Sequence, residues 1–141
     1  MVRNILVPVD HSSQSTNALE YALEEYSDDN LTVLHVIDVN QIAMYGDEGY
    51  RFSEEYIQQL RNRAEELLER TRQTAADHGT VIETELETGP PIQTIHEYID
   101  ENDIDHVVMG SHGRSGASRI LLGSVAEAVT RRSPVPVTIV R

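Results

Sequence analysis

Apolar residues along the chain fall into two kinds of segment, short β-type runs and longer stretches with three-four spacing. Arg3-Asn4-Ile5-Leu6-Val7-Pro8-Val9-Asp10 is apolar almost throughout, which predicts a strand buried on both faces. Ser12 and Ser13 then offer N-cap hydroxyls to a helix with Ala18, Leu19, Ala22, Leu23 and Tyr26 on one face and Glu20, Glu24 and Glu25 on the other. Leu31-Thr32-Val33-Leu34-His35-Val36-Ile37 predicts a second buried strand. The polar, glycine-containing stretch from Asp38 to Phe52 exceeds a minimal connection and predicts a functional loop. Ser53 with Glu54 and Glu55 predicts a helix start, because carboxylates complement the positive helix end. Ile57, Leu60, Ala64, Leu67, Thr71 and Ala75 continue that helix, and Gly79 ends it.

Thr80, Ile82, Thr84 and Leu86 alternate with Val81, Glu83, Glu85 and Glu87, the pattern of an edge strand with one solvated face. Pro90 and Pro91 open a third helix bearing Ile92, Ile95 and Ile99. Asp105 to Met109 forms a fourth strand ending in Gly110. A helix from Gly123-Ser124 carries Val125, Ala128 and Val129, with Arg131 and Arg132 at its negative end. Val135 to Val140 is a fifth strand, and Pro136 inside it points to a sheet edge. Strict alternation of strand and helix implies one α/β domain over residues 1–141, a three-layer α/β/α arrangement. Its five-stranded parallel sheet would run in the order 3-2-1-4-5, with helices on both faces and right-handed crossovers. Ligands of such sheets collect beyond the carboxyl ends of the strands where the order reverses. That rim would hold Asp10, the loop after Val36 and the loop after Met109.

Composition narrows the chemistry. The 24 acidic side chains face 11 basic ones, all of them arginine, for a formal charge of −13. Without lysine there is no Walker A loop, no Schiff base, no protein-kinase lysine and no Ser-x-x-Lys nucleophile. Without cysteine there are no disulfides, thiol catalysis or thiolate metal sites. The acidity argues against nucleic-acid binding, which needs a basic face. No run approaches the roughly 20 apolar residues of a membrane span, and Met1 to Asn4 lead straight into a strand without a signal-peptide layout. The expected compartment is the cytoplasm. Dense carboxylates keep a protein soluble in high salt, so a salt-rich, halophilic cytoplasm is the leading explanation, with ordinary acidic surface bias as the alternative.

The charge is unevenly spread. Residues 1–105 hold 23 acids and 6 arginines, whereas residues 106–141 hold one acid, Glu127, and 5 arginines. That second region contains Gly110, Gly113, Gly116 and Gly123 in a tract that follows a strand and ends at a helix start. Glycines let backbone amides approach an anion, and the helix N-terminus adds unpaired N–H groups. Ser111, Ser115, Ser124, Arg114 and Arg119 add donors. On spacing alone a plain flexible connection has nearly equal standing; the local lack of acids favours a phosphate site.

Gly110-x-x-Gly113, followed after nine residues by Gly123-Ser124, resembles the nucleotide-binding signature of the universal stress protein family. The resemblance extends to Asn4 through Asp10, to Leu34-His35-Val36-Ile37-Asp38 and to Pro134-Val135-Pro136-Val137, and so covers the whole chain. It implies binding of ATP, or of AMP or ADP, with Mg2+ held through the phosphates. Asp10 would meet the ribose and adenine region, with Pro8 and Val9 beside it. Val36 would contact the base and Met109 would line its pocket. Gly110, Gly113, Gly123, Ser124 and Val125 would hold ribose and phosphates, and Arg114 would be a phosphate partner, although the family is less uniform there. His11 stands where many members carry an apolar residue. The resemblance also implies a homodimer through the C-terminal edge strand, residues 135–140, and a stress-response regulator that acts on a protein partner.

Other chemistries fit less well. A phosphoacceptor role for Asp10, as in a receiver domain, needs a lysine and an aspartate ending the third strand, where Glu87-Thr88-Gly89 stands instead. The first strand-helix turn, Asp10-His11-Ser12-Ser13, lacks the Gly-x-Gly-x-x-Gly of dinucleotide oxidoreductases. The 6 histidines show no metal-ligand spacing and read mostly as surface or capping residues. Ser111-His112 adjacency does not make a nucleophile-base pair. No catalytic residue is assigned; a slow ATP hydrolase or phosphotransferase would depend on Asp10 or His112 as base. A nucleotide-independent interaction module is the other alternative. The mixed charges around Glu65, Glu66, Glu69, Arg61, Arg63, Arg70 and Arg72 read as a solvated helix laced with weak pairs.

Overall fold

The computed structural model describes residues 1–38, 40, 50–111 and 122–141. Its elements follow the order strand, helix, strand, helix, strand, helix, strand, helix, strand. They are β1 (Asn4–Pro8), α1 (Ser13–Glu25), β2 (Asn30–Asp38), α2 (Tyr50–Asp77), β3 (Glu83–Gly89), α3 (Pro91–Glu101), β4 (His106–Gly110), α4 (Ser124–Arg132) and β5 (Val137–Val140). All pairings are parallel, as the alternation predicts, and the strand order is the expected β3-β2-β1-β4-β5. Among the described residues no helix is long and apolar enough to cross a membrane.

The apolar runs of β1, β2 and β4 are continuous because each faces two cores. Ile5, Val7, Val33 and Val108 pack beneath Leu19 and Leu23 of α1 and Leu67 and Leu68 of α2. Leu6, Leu34, Val107 and Met109 pack on the other face against Ile95 and Ile99 of α3 and Ala126 and Val129 of α4. β3 keeps its acidic alternation at one edge, with Glu83, Glu85 and Glu87 exposed. Local chemistry sets the helix ends. The Ser12 hydroxyl caps α1 by accepting from the Ser15 amide at 3.2 Å. Gly79 closes the turn after α2 with a φ of +72°, a left-handed value that a side chain would resist. Pro91 opens α3, where its missing N–H costs nothing.

Three expectations need correction. α2 begins at Tyr50 rather than Ser53, so Glu54 and Glu55 lie beyond its first turn. β3 begins at Glu83 rather than Thr80. α4 buries Ala126 and Val129, with Val125 partly buried against the same core. β5 starts at Val137, after Pro136; the proline still serves the sheet, since its carbonyl accepts from the Val107 amide at 3.0 Å.

Candidate functional site

β1 reverses the strand order, pairing with β2 on one side and β4 on the other, and beyond its carboxyl end lies a cavity of about 480 Å³. That volume falls within the ordinary range for small-molecule sites. β1 supplies Pro8, with Val9 and Asp10 just past it; β2 supplies Leu34 through Asp38; β4 supplies Met109 and Gly110. The far wall is the N-terminus of α4, Gly123 through Ala126, beside Pro91 and Ile95 of α3.

Asp10 is anchored but not saturated. One carboxylate oxygen accepts from the Ser12 amide at 2.8 Å. Its backbone amide donates to the Ser15 hydroxyl at 3.1 Å, and that hydroxyl donates to the Asp10 carbonyl at 2.9 Å. The second carboxylate oxygen has no partner among the described residues, so the side chain is held in place and can still accept from a ligand hydroxyl.

Gly123 caps α4 with no side-chain oxygen. Its own amide donates to the Ser111 carbonyl at 2.8 Å, and the Ser111 amide donates to the Val140 carbonyl at 2.9 Å, which ties this helix end to the sheet. The first-turn N–H groups of Ser124, Val125 and Ala126 have no acceptor among the described residues and open on the cavity. Such groups, with the helix dipole behind them, favour an anion. Gly110 is there for close approach: a Cβ built on it would lie 2.8 Å from the Gln14 carbonyl carbon of α1.

The sequence profile of the Universal stress protein family matches residues 1–141. The chain belongs to that family. Universal stress protein MJ0531 of Methanocaldococcus jannaschii is 33% identical over 144 residues, covering 100% of this chain and 83% of the relative. The solved structure of MJ0577, from the same organism, superimposes with a TM-score of 0.83 at 30% identity, covering 99% of this chain and 96% of the other. A universal stress protein solved in complex with cAMP superimposes with a TM-score of 0.67 at 25% identity, covering 99% of this chain and 96% of the other.

In this universal stress protein nine of the expected contacts, Pro8, Val9, Asp10, Val36, Met109, Gly110, Gly123, Ser124 and Val125, line the one cavity. Gly113 and Arg114 lie outside the described residues, as do Gly116, His112, Ser115 and Arg119. Several lining residues escaped the sequence reading. His35 is buried, and His11 meets it edge-on with ring centroids 5.6 Å apart. Away from the cavity, at the amino end of β4, His106 is half-buried, with Nε2 2.7 Å from the Thr138 hydroxyl. His35 and His106 are the exceptions to the expectation of mostly surface or capping histidines. Tyr56, Leu60 and Arg63 reach the cavity from one face of α2. Arg63, read as part of a solvated charge lace, has no carboxylate partner among the described residues. The i, i+4, i+7 spacing of these three is the signal that was available.

Proposed function

We propose that this protein binds an adenine nucleotide, ATP or its di- or monophosphate, in the rim cavity and acts in the cytoplasm as a stress-response regulator through nucleotide-dependent contact with a protein partner. The observation that carries the reading is the convergence on one cavity of two complementary groups. Asp10 holds a carboxylate oxygen open for a ribose hydroxyl, and the uncapped first turn of α4 offers N–H groups to phosphate. Val36, Met109 and Ile95 give an apolar wall for a base, and Arg63 adds a guanidinium without a carboxylate partner among the described residues. The family relative solved with cAMP supports an adenine ligand. Mg2+ enters this reading as a companion of the phosphates. Calorimetric titration of the purified protein with ATP, ADP and AMP tests it: saturable one-to-one binding is expected, and no heat up to millimolar nucleotide would refute it.

A homodimer through residues 135–140 is the second part of the proposal. β5 is an outer strand, and Pro136 and Val140 turn their carbonyls toward β4. Alternation then turns the N–H and C=O groups of Val137 and Ile139 outward, unpaired along an uncharged edge. Sedimentation should find a dimer at micromolar protein, and a monomer at every concentration would remove this part.

A further inference from the structure

His35 occupies a place in the cavity that the nucleotide reading leaves unused. It precedes Val36 on β2, so strand alternation turns it to the opposite face of the sheet. The cavity wraps the strand end and is lined from both sides, by Tyr56, Leu60 and Arg63 of α2 and by Pro91 and Ile95 of α3. A ligand filling it meets both faces.

The protonation of the ring follows from its partner. Nδ1 lies 2.8 Å from the Val9 carbonyl oxygen. A carbonyl has no proton to give, so Nδ1 carries the proton and donates. In the neutral ring Nε2 is then a bare lone pair. No described residue donates to Nε2, although the side chain is 8% exposed and lines the cavity. The edge-on contact with His11, at an interplanar angle of 78°, fixes the ring plane as well. A buried acceptor held in one orientation and left open toward a cavity is poised for a donor on the ligand.

We infer that His35 is a specificity-determining residue of the binding site, its Nε2 accepting a hydrogen bond from an N–H or O–H group of the bound nucleotide. This rests on the nucleotide reading and deepens it. An adenine nucleotide offers two sources of such a donor, the 6-amino group of the base and the ribose hydroxyls. A 6-oxo base presents an acceptor instead of the amino group, and a deoxyribose lacks one of the hydroxyls.

The test is titration of wild type, His35→Asn and His35→Gln with ATP, inosine triphosphate, 2′-deoxy-ATP and 3′-deoxy-ATP, with a thermal melt on each variant. The Asn amide reproduces the Nδ1–H bond to Val9 and places nothing at Nε2. Gln places an amide oxygen near Nε2 that can still accept. Wild type should prefer ATP by about tenfold or more over one analogue. That analogue is inosine triphosphate if the amino group is the donor, and a deoxy form if a hydroxyl is. His35→Asn should lose the preference by weakening ATP alone, while His35→Gln keeps it. A wild type that binds all four nucleotides alike, or an Asn variant that keeps the preference, overturns the inference and leaves the nucleotide reading standing. An Asn variant that weakens all four equally also overturns it. No binding by wild type overturns both.

Discussion

The two ends of the sheet are built on opposite terms. At the amino end the polar groups answer one another. Arg3 donates to Asp29 from its backbone at 3.0 Å and from its guanidinium at 2.9 Å, and that guanidinium lies 5.1 Å from the Tyr26 ring centre. Asn4 donates to the Asp103 carbonyl at 3.1 Å and accepts from Asn30 at 3.1 Å, while its amide donates to Asp105 at 2.8 Å. At the carboxyl end, matching groups are held firmly and left open. One oxygen of Asp10, Nε2 of His35 and the first-turn amides of α4 lack partners among the described residues. Unanswered polar groups cost stability; apart from the buried Nε2 of His96 on α3, those named here gather at the carboxyl end, which separates where the protein is made stable from where it meets a ligand.

The largest expected effect comes from the residue that belongs to both tasks. Gly110→Ala sets a Cβ 2.8 to 2.9 Å from backbone atoms of Gln14, which cannot swing aside as a side chain tip would. Overpacking of this kind costs about 1–3 kcal/mol, and α1 must shift, carrying Ser12 and Ser15 and hence the anchoring of Asp10. Chemical denaturation and nucleotide titration should both register the loss. If only binding changes, the glycine is a ligand contact and not a packing necessity.

Asp10→Asn should separate the two tasks. The amide oxygen can still accept from Ser12, so stability should hold within about 0.5 kcal/mol. The open oxygen becomes an N–H donor, and losing a charge-assisted bond should weaken nucleotide about ten- to hundredfold. Unchanged affinity would mean that the open oxygen at this end is idle, and the contrast between the ends would lose its functional sense.

The fold was legible where a residue's fate depends on its neighbours in the chain. Continuous runs such as Ile5 to Val7 marked strands with two buried faces, and the alternating glutamates of β3 marked an edge. The site was legible through its backbone devices, the glycines and the helix start at Ser124. What stayed hidden depends on distant partners. Nothing near His35 foretells that its proton goes to Val9, 26 residues earlier and just past the end of β1. Helical spacing puts Arg63 on one face with Tyr56 and Leu60, but only the packing of α2 on the sheet brings that face to the rim. Ala126, to which the sequence assigned no face, is buried beside Val129 against Leu6, Leu34 and Val107 of the sheet.

Asn4→Ala sharpens the comparison from the other end. It removes the side-chain bonds to Asp103 and Asn30 at once. Asp103 sits at a φ of +52°, so the bond from Asn4 helps hold an unfavourable turn ahead of β4. A loss of about 1 kcal/mol is expected, with nucleotide affinity unchanged within about twofold. A larger change in affinity would show the two ends to be coupled through β1.

The smallest effect is a pH dependence that originates at the amino end. Burial, and then the nearby Arg3 charge, hold the His106 imidazole below its ordinary value of 6.5. Its Nε2 lies 2.7 Å from the Thr138 hydroxyl, and its ring packs 5.4 Å from that of Tyr26. Because the folded value is the lower one, the unfolded chain takes up a proton first as pH falls. Stability should therefore decline from about pH 6.5 downward and level off once the folded imidazole also titrates. The Asp29 carboxyl, held below its ordinary 3.8 by hydrogen bonds from Arg3, stabilises the fold above that value and loses its contribution only as pH falls below it, so the two windows are separate. His106→Gln keeps a polar group near Thr138 and removes the titration. Urea midpoints taken between pH 7 and pH 4.5 should slope less in the variant than in wild type. Equal slopes would move the effect to another group and leave the amino end electrostatically silent in this range.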